Sequence, residues 1–202
     1  MKVSVFFYST YGHMFTMAQA AVEGAKRAGA EVKLLRIPEV IPEETLKQIG
    51  AWDAQQAFAD VPLATVEDLR WPDASVFAVP TRYGNMPGQF RNFFDQAGQI
   101  WMEGATVGKV ATVMSGSGSQ HGGQETTILT TQITLMHLGY VIVGLPYTYQ
   151  GQFYLDEPSG VSPYGASTIA GPDGSRQPSE NELEGARFQA EHASKIAGKL
   201  FD

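Results

Sequence analysis

The sequence predicts a doubly wound α/β fold, with a five-stranded parallel sheet covered by helices on both faces. Three observations carry this expectation. Short apolar runs recur along the 202 residues, and most are followed by a stretch with apolar residues at helical spacing. Gly29 and Gly139 stand where two of those helices should stop. Ser179-Glu180-Asn181-Glu182 reads as a capping box that opens a last helix. With no internal repeat and enough length to bury a full core, residues 1–202 are read as a single domain.

The elements follow in order. Residues 3–8 form an apolar run that reads as a buried first strand. Met14, Met17, Ala18, Ala21, Val22 and Ala25 then line one face of a helix ending near Ala28. Residues 31–37 read as strand two. Residues 38–66 are irregular, broken by Pro38, Pro42 and Pro62, with a weak helix signal over 43–49. Strand three is expected over 75–79, and Phe90, Phe93, Phe94 and Ala97 mark the helix after it. Strand four is expected over 110–114, a helix over 124–138 and strand five over 140–145. Residues 146–178 are rich in Gly, Pro, Ser and Tyr. Leu183, Ala186, Ala190, Ala193, Ala197 and Leu200 supply the buried stripe of the last helix.

Composition excludes several classes of function. Fourteen Lys and Arg against a net charge of −7, with no basic run, leave no electrostatic footprint for nucleic acid. The absence of cysteine removes disulfides, thiolate metal sites and thiol redox chemistry, so any redox role needs a bound cofactor. No segment reaches the ~20 apolar residues of a membrane span. No signal-peptide layout precedes the first strand, which makes the cytoplasm the expected compartment.

In a sheet of this kind ligands sit beyond the carboxyl ends of the strands. Three loops leave those ends. The first, Ser9-Thr10-Tyr11-Gly12-His13-Met14, joins strand one to a helix N-terminus. Unpaired N–H groups, the helix dipole and the hydroxyls of Ser9, Thr10 and Thr16 suit it to hold a phosphate without Lys or Arg. A βα turn with an ordinary polar cap is the alternative. The second loop runs from Pro80 to Gly88 and the third from Ser115 to Gln124. Together the three suggest a phosphorylated, flat, aromatic ligand, with Tyr11 and Tyr83 available to flank a ring. Neither G-x-x-x-x-G-K-[ST] nor G-x-G-x-x-G is present, and the G-x-S-x-G register is missing. The four histidines show no metal-ligand spacing with carboxylates, so no metal is expected.

Four stretches then carry a family resemblance: residues 9–13, residues 80–86, Gly122-Gly123-Gln124-Glu125, and the run from Pro163 through Tyr164 and Gly165 to Pro178. Together they resemble the WrbA-type NAD(P)H:quinone oxidoreductases over essentially the whole chain, least so in residues 42–66. The resemblance implies a flavodoxin-like fold binding FMN, with NAD(P)H as co-substrate and a quinone as acceptor. It implies FMN contacts at Ser9, Thr10, Tyr11, Gly12, His13 and Met14, at Thr81, Arg82 and Tyr83, and at Gly116, Ser117, Gly118, Ser119, Gln120 and His121. His137 matches a flavin-pocket position, Trp101 a quinone-site position and Tyr11 a nicotinamide contact. One extra residue stands in the third loop near Gln120 and His121. Each side chain keeps an alternative: Trp101 as a core seal or subunit contact, His137 as a cation closing a helix, Arg82 as a surface charge.

The expected reaction is a two-electron reduction through one site, with no side-chain nucleophile, and the expected assembly is a homotetramer. The aromatics of residues 147–154 lie outside the expected sheet and helices, which supports association independently. A one-electron flavodoxin-type carrier and a scaffold that has lost its cofactor are the competing classes.

Overall fold

The structure, a computed structural model, describes residues 1–201. Its strands are β1 (Lys2–Phe7), β2 (Glu31–Arg36), β3 (Ala74–Pro80), β4 (Val110–Ser117), β5 (Val141–Ile142) and β6 (Ser167–Ile169). Its helices are α1 (His13–Arg27), α2 (Glu43–Gln48), α3 (Trp52–Gln56), α4 (Gly88–Asp95), α5 (Gly98–Met102), α6 (Gln124–His137) and α7 (Glu180–Phe201). The strands are all parallel and run β2-β1-β3-β4-β5, with β6 also paired to β4. The order reverses between β1 and β3, where a crevice opens at the strands' carboxyl ends.

Burial explains the strand sequences. Every residue of β3 and β4 is buried, as expected of central strands covered on both faces. β2 lies at the edge and alternates exposed with partly buried positions over its first four residues, with only Leu35 buried. One face of the sheet packs α1 and α7 through Met17, Ala21, Ala186, Ala190 and Ala193. The other packs α4 and α6 through an aromatic cluster in which Phe6 stacks on Phe77 at 5.2 Å, with Phe90, Phe93 and Phe94 around them. The capping box forms: Ser179 N–H donates to Glu182 Oε2 at 2.9 Å, and Glu182 N–H donates to Ser179 Oγ at 3.4 Å.

The fifth strand departs from expectation. Instead of a run over 140–145, β5 pairs only with the start of β4, Val110 and Ala111. The end of β4, Ser115 to Ser117, pairs with β6. Residues 143–166 are thus looped out of the middle of one strand position. The gap is closed by Gln189, fully buried on α7. Its Nε2 donates to Thr112 Oγ1 and to the Val113 carbonyl, and its Oε1 accepts the Ala166 N–H at 2.6 Å. Sequence pattern could not place β6, since three residues, Ser-Thr-Ile, carry too little periodicity. Residues 38–66 contain α2 and α3 and lead into a 3₁₀ turn, Val66–Leu69.

Candidate active site

A cavity of about 490 Å³ lies at the crevice between β1 and β3. Loop one supplies Ser9, Thr10, Tyr11, His13 and Met14, loop two Thr81 and Arg82 beside Pro80, and loop three Gly116, Ser117 and Gly118. These three loops are separated in sequence and are brought together because β1, β3 and β4 are adjacent and parallel.

Loop one is built as a donor surface. Gly12 is the N-cap of α1 with φ of 98°, a left-handed conformation that side-chain-bearing residues adopt at a cost. Its N–H donates to Ser9 Oγ at 3.0 Å, which closes the turn. The N–H groups of Thr10, Tyr11, His13, Met14 and Phe15 find no protein acceptor among the described residues. Thr16, expected as a further hydroxyl donor, turns back to the Gly12 carbonyl at 3.4 Å. Arg82 crosses from loop two: Nη2 donates to Thr10 Oγ1 at 2.6 Å and Nη1 to the Thr81 carbonyl at 2.8 Å. Thr81 is held in turn, its N–H donating to the Gly116 carbonyl and its Oγ1 accepting from Thr127 Oγ1 and Gly84 N–H.

A buried polar network underlies loop one. Tyr8, the residue before Ser9, donates to Glu39 Oε2 at 2.8 Å. Gln89 Nε2 donates to Glu39 Oε1 and to Tyr8 Oη, and Gln55 Nε2 donates to Glu39 Oε2. Burial by itself would raise the Glu39 carboxyl, but Gln89, Gln55, the Ile41 N–H and Tyr8 outweigh it and hold it below the usual range. Burial, reinforced by the facing carboxylate, pushes the Tyr8 hydroxyl up and keeps it a donor. Gln55 adjoins Ala54, which reaches the cavity wall. This network was not anticipated, because its four members come from four separate stretches of chain: the residue after β1, the loop after β2, α3 and α4.

A further wall was also missed as a contact surface. Thr168, Ala170, Gly171, Pro172, Asp173 and Gly174 close the cavity beside His13 of loop one. Asp173 is held below the usual carboxylate range by the backbone N–H and hydroxyl of Ser175, so the rim carries both Arg82 and an ionised carboxylate.

Seven expected positions stand off the cavity wall. Gly12 acts through its backbone angle. Tyr83 sits at the tip of the turn closed by Arg82 and Asn85, with φ of 53° and its side chain fully in solvent. Loop three folds back on itself, because the Ser119 carbonyl accepts from Ser117 Oγ, Gly122 N–H and Gln124 Nε2. That turns Ser119, Gln120 and His121 away, and Gln120 and His121 line a separate hollow. His137 ends α6, next to Leu138, whose carbonyl accepts from Thr106, and near the first residues of β4 and β5. That is the opposite end of the eight-residue β4, roughly 23 Å from Ser117 at a rise of about 3.3 Å per residue. Trp101, 60% exposed on α5, lies toward the same end, two residues before the Glu103–Arg70 ion pair. Within one chain neither reaches the cavity.

The family described as NADPH-dependent FMN reductase matches residues 1–154. The chain belongs to that family. It is 57% identical over 201 residues to a protein of Aromatoleum aromaticum named NAD(P)H dehydrogenase (quinone), spanning 99% of this chain and 97% of that one. It is 54% identical to a protein of Syntrophus aciditrophicus with the same name, over the full length of both. The resemblance to WrbA-type quinone oxidoreductases read from the four motif stretches agrees with these relatives. Among solved structures, a WrbA-like flavodoxin from Agrobacterium tumefaciens superposes with a TM-score of 0.65 at 22% identity, covering 98% of each chain. An archaeal flavodoxin superposes at 0.61. Both establish the flavodoxin-like fold.

The residues present fit this reductase family's cofactor. FMN needs a phosphate cradle, and loop one offers backbone donors that lack acceptors. It also needs room for a flat ring, and the cavity of about 490 Å³ extends past the phosphate loop along Thr81, Arg82 and Gly116. Gly116 lets that wall pack tightly, since a Cβ there would meet Met14 Sδ at 2.8 Å and Thr168 Cγ2 at 3.0 Å.

Proposed function

We propose that the cavity between β1 and β3 holds FMN and that the chain catalyses NAD(P)H-dependent, two-electron reduction of quinones. The observation that carries the site assignment is the set of acceptor-free N–H groups at loop one, at the switch point of the sheet. The relatives' shared name, at 52–57% identity over nearly the whole chain, supports the reaction. FMN, when bound, supplies the hydride chemistry that no side chain of this protein offers.

The chain's own residues bind, orient and shield. Loop one takes the phosphate through the N–H groups at the start of α1 and the Ser9 hydroxyl. The Thr81 and Gly116 backbones, locked to each other, border the ring edge. Arg82 brings positive charge to the mouth of the cavity and is the group best placed to balance negative charge on a reduced ligand. Tyr11, half exposed at the rim, offers a face to the nicotinamide. The wall of residues 170–174 excludes water from the side next to His13.

We assign the working form to a homotetramer in which neighbouring chains complete the pocket. α5, α6 and the turn between α5 and β4 expose Trp101, Met102, Val107, Ile133 and Met136, and a second surface exposes Tyr147, Phe153, Tyr154 and Leu155. Two apolar surfaces match what a closed assembly of four requires. His137 and Trp101, far from their own cavity, are then available to a neighbour's. The reaction draws on NAD(P)H, and the cytoplasm, which holds that pool, is the compartment we assign.

The test is direct. Purified protein is yellow or takes up added FMN, and the loaded protein oxidises NAD(P)H stoichiometrically with benzoquinone. Colourless protein that ignores FMN would favour a scaffold. Flavin reduction that stalls after one electron would favour a carrier.

A further inference from the structure

Resting on the FMN assignment above, we infer that Glu182 is a positioning residue for the cofactor: through Arg176 it holds the strap of residues 170–176 against His13 of the phosphate loop. Glu182 sits in the first turn of α7 and has no exposed surface. A capping box asks it only to accept the Ser179 N–H. Here it does far more. Oε1 accepts from Gly160 N–H at 3.1 Å and Ile169 N–H at 3.3 Å, and Oε2 accepts from Thr168 Oγ1 at 2.9 Å. Both oxygens accept from Arg176 Nη1, at 3.1 and 3.0 Å.

Arg176 carries the constraint onward. Nη1 also donates to the Ile169 carbonyl at 2.6 Å, Nη2 to the Pro158 carbonyl at 2.8 Å, and its N–H to the Ala170 carbonyl at 3.0 Å. Its own carbonyl accepts from His13 Nε2 at 3.1 Å, which assigns the ring proton to that nitrogen. The chain of contacts thus runs from a buried carboxylate to a cavity-lining histidine in the proposed phosphate loop. On the way it sets Thr168 and residues 170–174, the cavity wall that adjoins that loop at His13.

Stability does not account for this arrangement. Burying an ion pair costs desolvation that its attraction roughly repays, and apolar replacements of such pairs are often neutral. What the pair does provide is a single geometry for a segment with little apolar anchorage of its own: among 170–176 none of the residues is in the hydrophobic core.

The experiment uses the full-length apo-protein and reads flavin binding by fluorescence quenching for wild type, Glu182→Gln, Arg176→Met and the double variant. FMN and riboflavin are titrated separately, since His13 faces the phosphate end. Each single substitution is expected to raise the FMN dissociation constant at least about tenfold and the riboflavin constant less, with the double variant no weaker than the worse single one. Trypsin cleavage after Arg176 is expected to quicken in Glu182→Gln. Circular dichroism checks folding; if Glu182→Gln fails to fold, Arg176→Met decides alone. FMN affinity within about twofold of wild type in a folded variant overturns the proposal, as do equal losses for both flavins or additive effects. Wild-type protein that binds no FMN overturns the site assignment itself, and this inference with it.

Discussion

Gly12 reaches no ligand with a side chain, yet loop one depends on it. Its left-handed φ of 98° bends the backbone so that the next N–H groups face the cavity, and no atom crowds the place where a Cβ would stand. Gly12→Asp therefore acts through strain and charge rather than collision. It is expected to raise the FMN dissociation constant by at least about tenfold, roughly 1.4 kcal/mol, in a fluorescence titration. Unchanged affinity would remove the phosphate from loop one. Glu39 offers a second residue-scale test. Its carboxyl is held below the ordinary glutamate value of 4.5 in the folded chain, so its contribution to stability is complete above pH 4.5 and is lost as pH falls through the lowered folded value. Glu39→Gln is expected to cost about 2 kcal/mol at pH 7, because buried donors lose an ionised acceptor. The gap to wild type in urea melts should shrink steadily below pH 4.5.

At the scale of elements, the split fifth strand is the feature on which the site depends. β6 pairs with the end of β4 and so brings Thr168 to the cavity, but it can do so only if the loop between β5 and β6 leaves the sheet. Gln189 closes that opening with three hydrogen bonds to buried groups. Gln189→Leu keeps the volume and strands the Ala166 N–H and the Val113 carbonyl. The expected loss is about 3 kcal/mol of unfolding free energy, from roughly 1–3 kcal/mol for each group left unpaired. An unchanged urea midpoint would show that the strand halves hold together without it. α3 belongs to the same scale. Its five residues carry no helical stripe, yet Gln55 and Ala54 put it against both the Glu39 network and the cavity.

For the whole molecule, the question is why large apolar side chains lie in water far from the cavity. Ile133, half exposed in the middle of α6, points away from the sheet along with Leu129 and Met136. A second copy of the chain covering that stripe would explain them and would bring Trp101 and His137 to a neighbour. Ile133→Asp places a charge where the proposed contact is driest. It is expected to lower the sedimentation coefficient to that of a smaller species while leaving the circular dichroism of the chain unchanged. Activity per chain should fall with it. Full activity in the dissociated variant would mean that each chain carries a complete site.

The sequence by itself determined the alternation of strands and helices, the capping of the last helix and the loop that faces the crevice. Each of these rests on local chemistry: periodicity of apolar residues, a Ser and a Glu three apart, small polar residues before a helix. The motif stretches carried the family as well, since residues 9–13, 80–86 and 163–178 retain their spacing however the chain folds. Only the tertiary structure decided what is assembled across the sheet. The cavity wall held to His13 through the Arg176 carbonyl, the Glu39 network, the Glu182–Arg176 pair and the closing of the split strand by Gln189 join residues up to 163 positions apart. No period or spacing in the chain encodes such contacts. They arise because parallel strands return to the same end of the sheet and lay distant loops side by side.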